Sequence, residues 1–318
     1  MNIWQELTKQ APFFVLAPMD DVTDTVFRQI VVKHAPADLM MTEFANADGY
    51  CSPGRDAIMS RLRFSPKEQP LVAQIWGVDP KNYFEMAKDL VDMGFVGVDI
   101  NMGCPIKDMI KKGACSAMIN NHQLATEVIA ATKEGVAGKI PVSVKTRIGF
   151  DKIQTEEWVG FLLAQKLDAL TIHGRTRKEM SKVPNHWEEI GKAVKLRNKI
   201  APETIMIGNG DVLSREQGEK LASHHGVDGI MIGRGIFQNL FVFSEEQGQH
   251  SIDEMLRILL SHIELYTKTW GEDKSYEPLK KFYKLYVNGF DGAAKVRSRL
   301  METRDYREAI KYIKSLIK

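Results

Sequence analysis

The chain has 318 residues, of which 44% are hydrophobic and 26% charged, enough apolar material for one large barrel or for two ordinary domains. A formal net charge of +2 does not by itself point to a polyanionic partner. The three cysteines, Cys51, Cys104 and Cys115, are odd in number and lack CxxC spacing, so neither a disulfide framework nor a zinc site is suggested and no metal is expected.

The opening segment "MNIWQELTKQ" has neither the basic nor the apolar region of a signal peptide. No run approaches the ~18 apolar residues needed to span a bilayer. A cytoplasmic location without a membrane partner is therefore expected. Short apolar runs then recur: "PFFVLAPM" (12–19), "ADLMMTEF" (37–44), "PLVAQIWG" (70–77), "GVDINMG" (97–103), "IPVSVKTR" (140–147), "ALTIHGR" (169–175), "TIMIGNG" (204–210) and "GIMIGRG" (229–235). Each is followed by a polar or glycine-rich turn and a stretch of helical periodicity, and the starts are 25 to 43 residues apart, near the ~30 residues of a βα unit. Continuous apolar character, without alternation, predicts parallel strands covered on both faces. The pattern predicts a (β/α)8 barrel over residues 1–243. A doubly wound sheet competes, but no GxGxxG follows the first strand.

Beyond 243 the strand signal ends. "SIDEMLRILLSHIELYTKTWG" and "REAIKYIKSLI" carry apolar residues at three-to-four spacing, so residues 244–318 are expected to form a helical domain. From Lys274 to Lys318 twelve Lys/Arg face five Asp/Glu. That local excess of basic charge, on an otherwise acidic chain, is the electrostatic footprint of a nucleic-acid surface or simply a solvated helical face.

In a barrel of this kind the C-terminal strand ends and the loops after them carry function. Here those ends are polar: Pro18, Met19 and Asp20; Glu43; Gln74; Asn101 with Cys104; Lys145 with Arg147; His173 with Arg175; Asn209, Gly210 and Asp211; Gly233 with Arg234. The loops after strands seven and eight, "GNGD" and "GRGIFQN", let backbone N–H groups approach an anion, and Arg234 would clamp a terminal phosphate. Lys145 and His173 would then lie near the ligand's ring, where a reduced flavin is negative at its N1 and C2-carbonyl edge. FMN uses all these groups best, although Lys145 could instead pair with Glu43 or Asp99. Asp99 precedes its strand end and is expected to serve as an ion-pair partner or cap. Between Gly103 and Pro105, Cys104 rides on a loop over that ligand. With an ordinary thiol pKa near ~8.5 it suits proton donation. "IKDMIKKGACSAMI" is expected to be a mobile lid hinged at Gly113, with Cys115 as the rival thiol.

The tags "APMDDVTDTVFR" (17–28), "NMGCP" (101–105) with "KKGACSAMI", "VSVKTRIG" (142–149), "IHGRTR" (172–177), "GNGDV" (208–212) and "GRG" (233–235) together resemble the tRNA-dihydrouridine synthases. The resemblance runs through the tail "EPLKKFYKLYVNGFDGAAKVRSRL". It implies FMN-dependent reduction of the uracil C5–C6 bond in tRNA, with NADPH as electron donor and no obligate protein partner. It further implies FMN contacts for Pro18, Met19, Asp20, Gln74, Lys145 and His173. Asn209, Gly210, Asp211, Gly233 and Arg234 fall at the phosphate end, Cys104 is the proton donor, and Asn101, Arg147, Arg175 and Arg177 surround the target nucleotide. The family more often has small residues where Asp20 and Asp21 stand, and glycine where Cys115 stands. A stacked uridine must be extruded to reach a barrel mouth, so the tail's Lys and Arg residues, with Tyr283, Tyr286 and Tyr306, are expected to grip the tRNA. A dihydroorotate-dehydrogenase-like barrel acting on a free pyrimidine, and a non-catalytic tRNA-binding protein, are the alternatives.

Overall fold

The computed structural model describes residues 1–245, 248, 250–271 and 273–317. Lys318, the last residue of the basic tail, lies outside the described residues. All eight expected strands form: β1 (Phe13–Leu16), β2 (Leu39–Met41), β3 (Leu71–Trp76), β4 (Gly97–Met102), β5 (Val142–Arg147), β6 (Ala169–His173), β7 (Ile205–Asn209) and β8 (Gly229–Ile232). Each pairs in parallel with the next, and β8 returns to β1 through Phe13↔Gly229 to Leu16↔Ile232, closing the ring. Ala45–Asn46 is a short extension beyond β2 that pairs with Ile75 and Trp76. The fold is a TIM barrel.

Alternation along the strands divides the apolar residues in two. Phe13, Val15, Leu39, Met41, Val72, Ile205, Ile207 and Met231 form a cluster with Trp4, which stands 6.3 Å from Phe13 and comes from the short N-terminal helix Ile3–Leu7. Their neighbours Phe14, Leu16, Met40, Leu71, Ala73 and Ile75 belong to the larger core shared with the helices. Those helices include α1 (Thr25–His34), α2 (Arg55–Leu62), α3 (Pro80–Asp92), α4 (His122–Val136), α5 (Gly160–Ala164), α6 (Trp187–Ile200) and α7 (Arg215–His225). Their caps follow the sequence: Asp24, Asp79, Asn121 and Ser214 each accept an N–H of the first turn, which satisfies groups a helix start leaves open.

After β8 the described elements are helical. The long helix α8 (Ile252–Trp270) starts at Ser251, whose side chain accepts from the Glu254 N–H. It packs on α1, with the His262 ring 5.8 Å from Phe27 and Trp270 Nε1 donating to Asp24 Oδ2 at 2.9 Å. Phe282, on the following turn Glu277–Phe282, stacks on Phe27 at 4.8 Å and on Phe237 at 5.8 Å. Residues beyond 244 thus share a core with the barrel. This burial corrects one expectation: Tyr283 and Tyr286 are each 1% exposed, and the Tyr286 hydroxyl meets His262 Nδ1 at 2.8 Å. Their rings are packing groups, because they occupy the apolar face of a helix that must cover α8. Lys284, Lys295, Arg304, Arg307 and Lys311 are exposed. No helix among the described residues is long and apolar enough to cross a membrane.

Candidate active site

The strand ends meet at one rim, where a cavity of about 620 Å³ is lined by Pro18, Met19, Lys145, His173, Asn209, Gly210, Asp211, Gly233 and Arg234. Nine of the eleven expected cofactor residues therefore share one wall. Gly210 is required by the local packing: it has φ +131, and a Cβ there would stand 2.0 Å from Asn185 Oδ1. At Gly235 a Cβ would stand 2.1 Å from the Val212 carbonyl oxygen. Both positions let the chain run where a side chain would not fit. Asn209 donates from Nδ2 to the Met231 carbonyl at 2.8 Å, tying the ends of β7 and β8 together.

The Lys145 ammonium forms no hydrogen bond or ion pair among the described residues: Asp99 bonds to Ser143 and Gln74, and Glu43 bonds to Arg61. Burial lowers the lysine's pKa to about 8, with Arg147 adding to the effect. His173 is held well below the ordinary histidine range by burial and then by Arg147, Lys145, Arg175 and Arg234. It is neutral at physiological pH. Arg175 Nη1 lies 3.3 Å from His173 Nε2, and because a guanidinium only donates, Nε2 accepts and the proton sits on Nδ1. The mouth thus presents an unpaired cation beside a neutral ring that still has an N–H.

Cys104 stands on the turn after β4, half-buried. Its loop is fixed by a buried polar chain across β3, β4 and β5. Ser143 Oγ donates to Asp99 Oδ1 at 2.6 Å, Gln74 Nε2 to Asp99 Oδ2 at 2.7 Å, and Asn101 Nδ2 to Gln74 Oε1 at 3.0 Å. Asn101 Oδ1 then accepts the N–H of Gly103 at 3.1 Å and of Cys104 at 3.0 Å. Burial raises Asp99 to about 6 against the pull of those two donors. Arg147 Nε binds the Gly103 carbonyl at 2.7 Å, and Ser116 Oγ binds the Cys104 carbonyl at 2.8 Å. The Cys104 thiol is lowered to about 7, first by the neighbouring Cys115 thiol, then by the Ile106 N–H and by Arg147, against burial.

Several expected residues lie elsewhere. Gln74 is fully buried in that chain and does not line the cavity. Asp20 also lies outside the lining and pairs with Arg61, which also holds Glu43 at 2.9 Å and Asp21 at 3.7 Å. Asp20, Asp21 and Glu43 bring their carboxylates within 4.8 Å of one another, a grouping that the Arg61 guanidinium draws together. Arg147 and Arg175 are 7% and 3% exposed, and most of their donors are taken by protein. Arg147 Nη1 bonds to the carbonyls of Thr176 and Met180, while Arg175 bonds to Asp211 and to the Val183 carbonyl. Arg177 reaches the rim, over the Phe150 ring at 4.6 Å and 3.5 Å from Asp151. Sequence reasoning missed Val212, Leu213, Phe237 and Gln238 in the cavity wall; a signal was present in "GRGIFQN", whose glycines and arginine carry the phosphate pattern and place the residues after them beside it.

A closed parallel barrel that gathers a desolvated lysine, a neutral histidine and a thiol-bearing turn at its C-terminal mouth belongs to the class of barrel enzymes whose chemistry sits at that face. The dihydrouridine synthase family model matches residues 15–317. The chain belongs to that family and is an oxidoreductase. It is 46% identical over 310 residues to the probable tRNA-dihydrouridine synthase 2 of Bacillus subtilis (strain 168), covering 96% of this chain and 94% of the relative. It is 47% identical over 311 residues to a probable tRNA-dihydrouridine synthase of Staphylococcus epidermidis, covering 97% and 94%. Among solved structures, histamine dehydrogenase from Rhizobium sp. 4-9 superposes with a TM-score of 0.55 at 12% identity, over 79% of this chain and 48% of that one. A variant of morphinone reductase in complex with tetrahydroNAD gives 0.50 at 12% identity, over 72% and 85%. At that identity these two share the fold alone.

Proposed function

We propose that this protein reduces the C5–C6 bond of uridine in tRNA to 5,6-dihydrouridine, with FMN as prosthetic group and NADPH as electron donor. The observation that carries this reading is the unpaired Lys145 ammonium beside neutral His173, in a cavity within the roughly 300–1,000 Å³ of small-ligand sites. Leaving a buried cation without a partner is costly, and an electron-rich ring edge relieves it. Pro18 and Met19 would wall the ring, Lys145 and His173 would meet its polar edge, and Asn209, Gly210, Gly233 and Arg234 would take the phosphate end. Asp211, already shared between Arg175 and Arg234, holds those guanidinium groups in place.

When bound, FMN would supply hydride chemistry for the uracil ring, with NADPH as the source of its electrons. Cys104 gives the proton to C5, and its loop is braced by Asn101, Arg147 and Ser116 so that the thiol points consistently at one place. Asn101 keeps one amide hydrogen for the pyrimidine. Arg147 and Arg175 act as positioning residues behind Cys104 and His173, while Arg177 is placed to meet the nucleotide's backbone. Gln74 and Asp99 orient Asn101 from below. The exposed basic residues beyond 274 would provide the phosphate contacts that offset extrusion of the uridine, a few kcal/mol. A free pyrimidine would need no such surface.

The test is reconstitution with FMN followed by two separate half-reactions: anaerobic bleaching of the flavin bands by NADPH, then formation of dihydrouridine in tRNA taken from cells lacking the protein. Cys104→Ala is expected to keep flavin and its bleaching and to lose about a hundredfold or more in dihydrouridine formation. Protein that takes up no FMN would refute the enzymatic reading. Full product yield from Cys104→Ala, with Cys115→Ala inactive, would move the proton donor to Cys115.

A further inference from the structure

Cys115 has no role in the chemistry above: its thiol donates to Met109 Sδ at 3.8 Å, and it lies beside Cys104 closely enough that the two thiols shift each other's acidity. The two backbones are held side by side: Ser116 N–H and Oγ both donate to the Cys104 carbonyl, at 3.4 and 2.8 Å. We infer that Cys104 and Cys115 form a reversible intramolecular disulfide when the protein meets a peroxide, which keeps Cys104 recoverable.

Three features of the pair support this. The thiols differ in access, Cys104 being half-buried and Cys115 0% exposed, so a small oxidant reaches Cys104 first. They differ in acidity in the matching direction. The Cys104 thiol is lowered to about 7, whereas Cys115, in a buried site beside it, is held well above the ordinary thiol range. Thiolate at the accessible site and protonated thiol at the hidden one is the division of labour between an attacked and a resolving cysteine. Finally, Cys115 has φ +54, in the left-handed region that a residue with a Cβ rarely adopts, and Gly113 two residues before it has φ +83 with open space around it. The short helix Lys107–Lys111 and Gly113 are therefore followed by a backbone held in an unusual conformation, which brings Cys115 and Ser116 alongside Cys104. Cys51 lies on the exposed turn beside Asn82, whose carbonyl its thiol contacts at 3.7 Å.

The chemistry balances with a peroxide as the two-electron oxidant. The Cys104 thiolate attacks one peroxide oxygen, the O–O bond breaks, Cys104 becomes a sulfenic acid, and the departing hydroxide takes up the proton the thiol had released to leave as one water. The Cys115 sulfur then attacks the Cys104 sulfur, the S–O bond breaks, and a second water leaves carrying the Cys115 proton. Two thiols are oxidised, one peroxide is reduced, and an external dithiol reverses the change.

The test uses the full chain with Cys51→Ser, treated with graded hydrogen peroxide and read by intact mass and peptide mapping without reductant. The expected result is a loss of about 2 Da, two alkylatable thiols falling to none, a cross-link between the peptides holding 104 and 115, and full reversal by dithiothreitol. Cys115→Gly, which suits the positive φ, and Cys115→Ala should instead gain about 32 Da at Cys104, a sulfinic acid that dithiothreitol does not reverse. Gain of 32 Da by the Cys115-containing chain, at the same peroxide level as the two variants, would overturn the inference. So would cross-linking only between two chains. Neither readout depends on FMN, NADPH or tRNA, so the inference stands or falls separately from the proposed reaction.

Discussion

At the residue scale, the acidity of Cys104 has a kinetic consequence. In the proposed reaction Cys104 must be protonated to donate to the uracil, and its pKa is lowered to about 7 from an ordinary thiol value near ~8.5. A lowered pKa means the proton is lost at a lower pH. Dihydrouridine formation from pre-reduced enzyme should therefore decline as pH rises through about 7, while flavin bleaching, which needs no thiol, should not share that limb. Removing the neighbouring Cys115 thiol, the largest cause of the lowering, with Cys115→Gly should move the limb upward. A stopped-flow pH series on both half-reactions checks this, and a shared limb would show that another group titrates. Cys104, Lys145 and His173 could be found in the sequence because each lies within two residues of a strand's C-terminal end. Phe237 and Gln238 had only the neighbouring glycines and arginine of "GRGIFQN" to mark them, since nothing in their own residue type separates a cavity wall from ordinary loop packing. Tyr283 and Tyr286 misled for the related reason that an aromatic near lysines serves equally well as core or contact.

At the scale of elements, the barrel was legible because strands buried on both faces leave uninterrupted apolar runs at regular spacing. The polar chain beneath Cys104 was not. Asp99 and Ser143 are 44 residues apart and Gln74 and Asn101 are 27 apart, and only the parallel register Gln74↔Asp99↔Ser143 brings them together. The same holds for the bond between α1 and the turn Pro66–Glu68 before β3. Arg28 Nε meets Glu68 Oε2 at 2.7 Å with both side chains 0% exposed, and the guanidinium also donates to the Arg63 carbonyl at 2.8 Å. Removing one partner of a buried pair leaves the other charge unpaired, at a cost of about 3–5 kcal/mol. Arg28→Met should lower the urea midpoint accordingly, and Arg28→Met with Glu68→Leu should recover most of the loss. A double variant as unstable as the single one would show that packing by the guanidinium, and not its charge, is what matters there.

At the scale of the whole molecule, the helical region cannot be removed cleanly. It covers Phe27 and Phe237 through Phe282 and anchors to the barrel by Trp270 to Asp24 and by Lys281 Nζ to the Asp21 carbonyl at 2.7 Å. Deleting residues after about 245 would uncover apolar core, so loss of RNA binding in such a truncation would not identify a contact surface. Exposed charge can be changed without that difficulty. Replacing Lys284, Lys295, Arg304 and Lys311 together by Glu should weaken tRNA binding and flatten its salt dependence, by roughly one unit of slope for each phosphate no longer neutralised, with flavin bleaching unchanged. Filter binding across a salt series measures it, and an unaltered slope would place the RNA on another face.

Phe237 sits in two neighbourhoods at once, the wall of the mouth cavity and the aromatic stack with Phe282. Occupancy on one side is thus felt as cohesion on the other. In a calorimeter the two regions should melt together as a single cooperative endotherm, and added flavin should carry the whole peak upward by RT ln(1 + [L]/Kd). Phe237→Ala should split it.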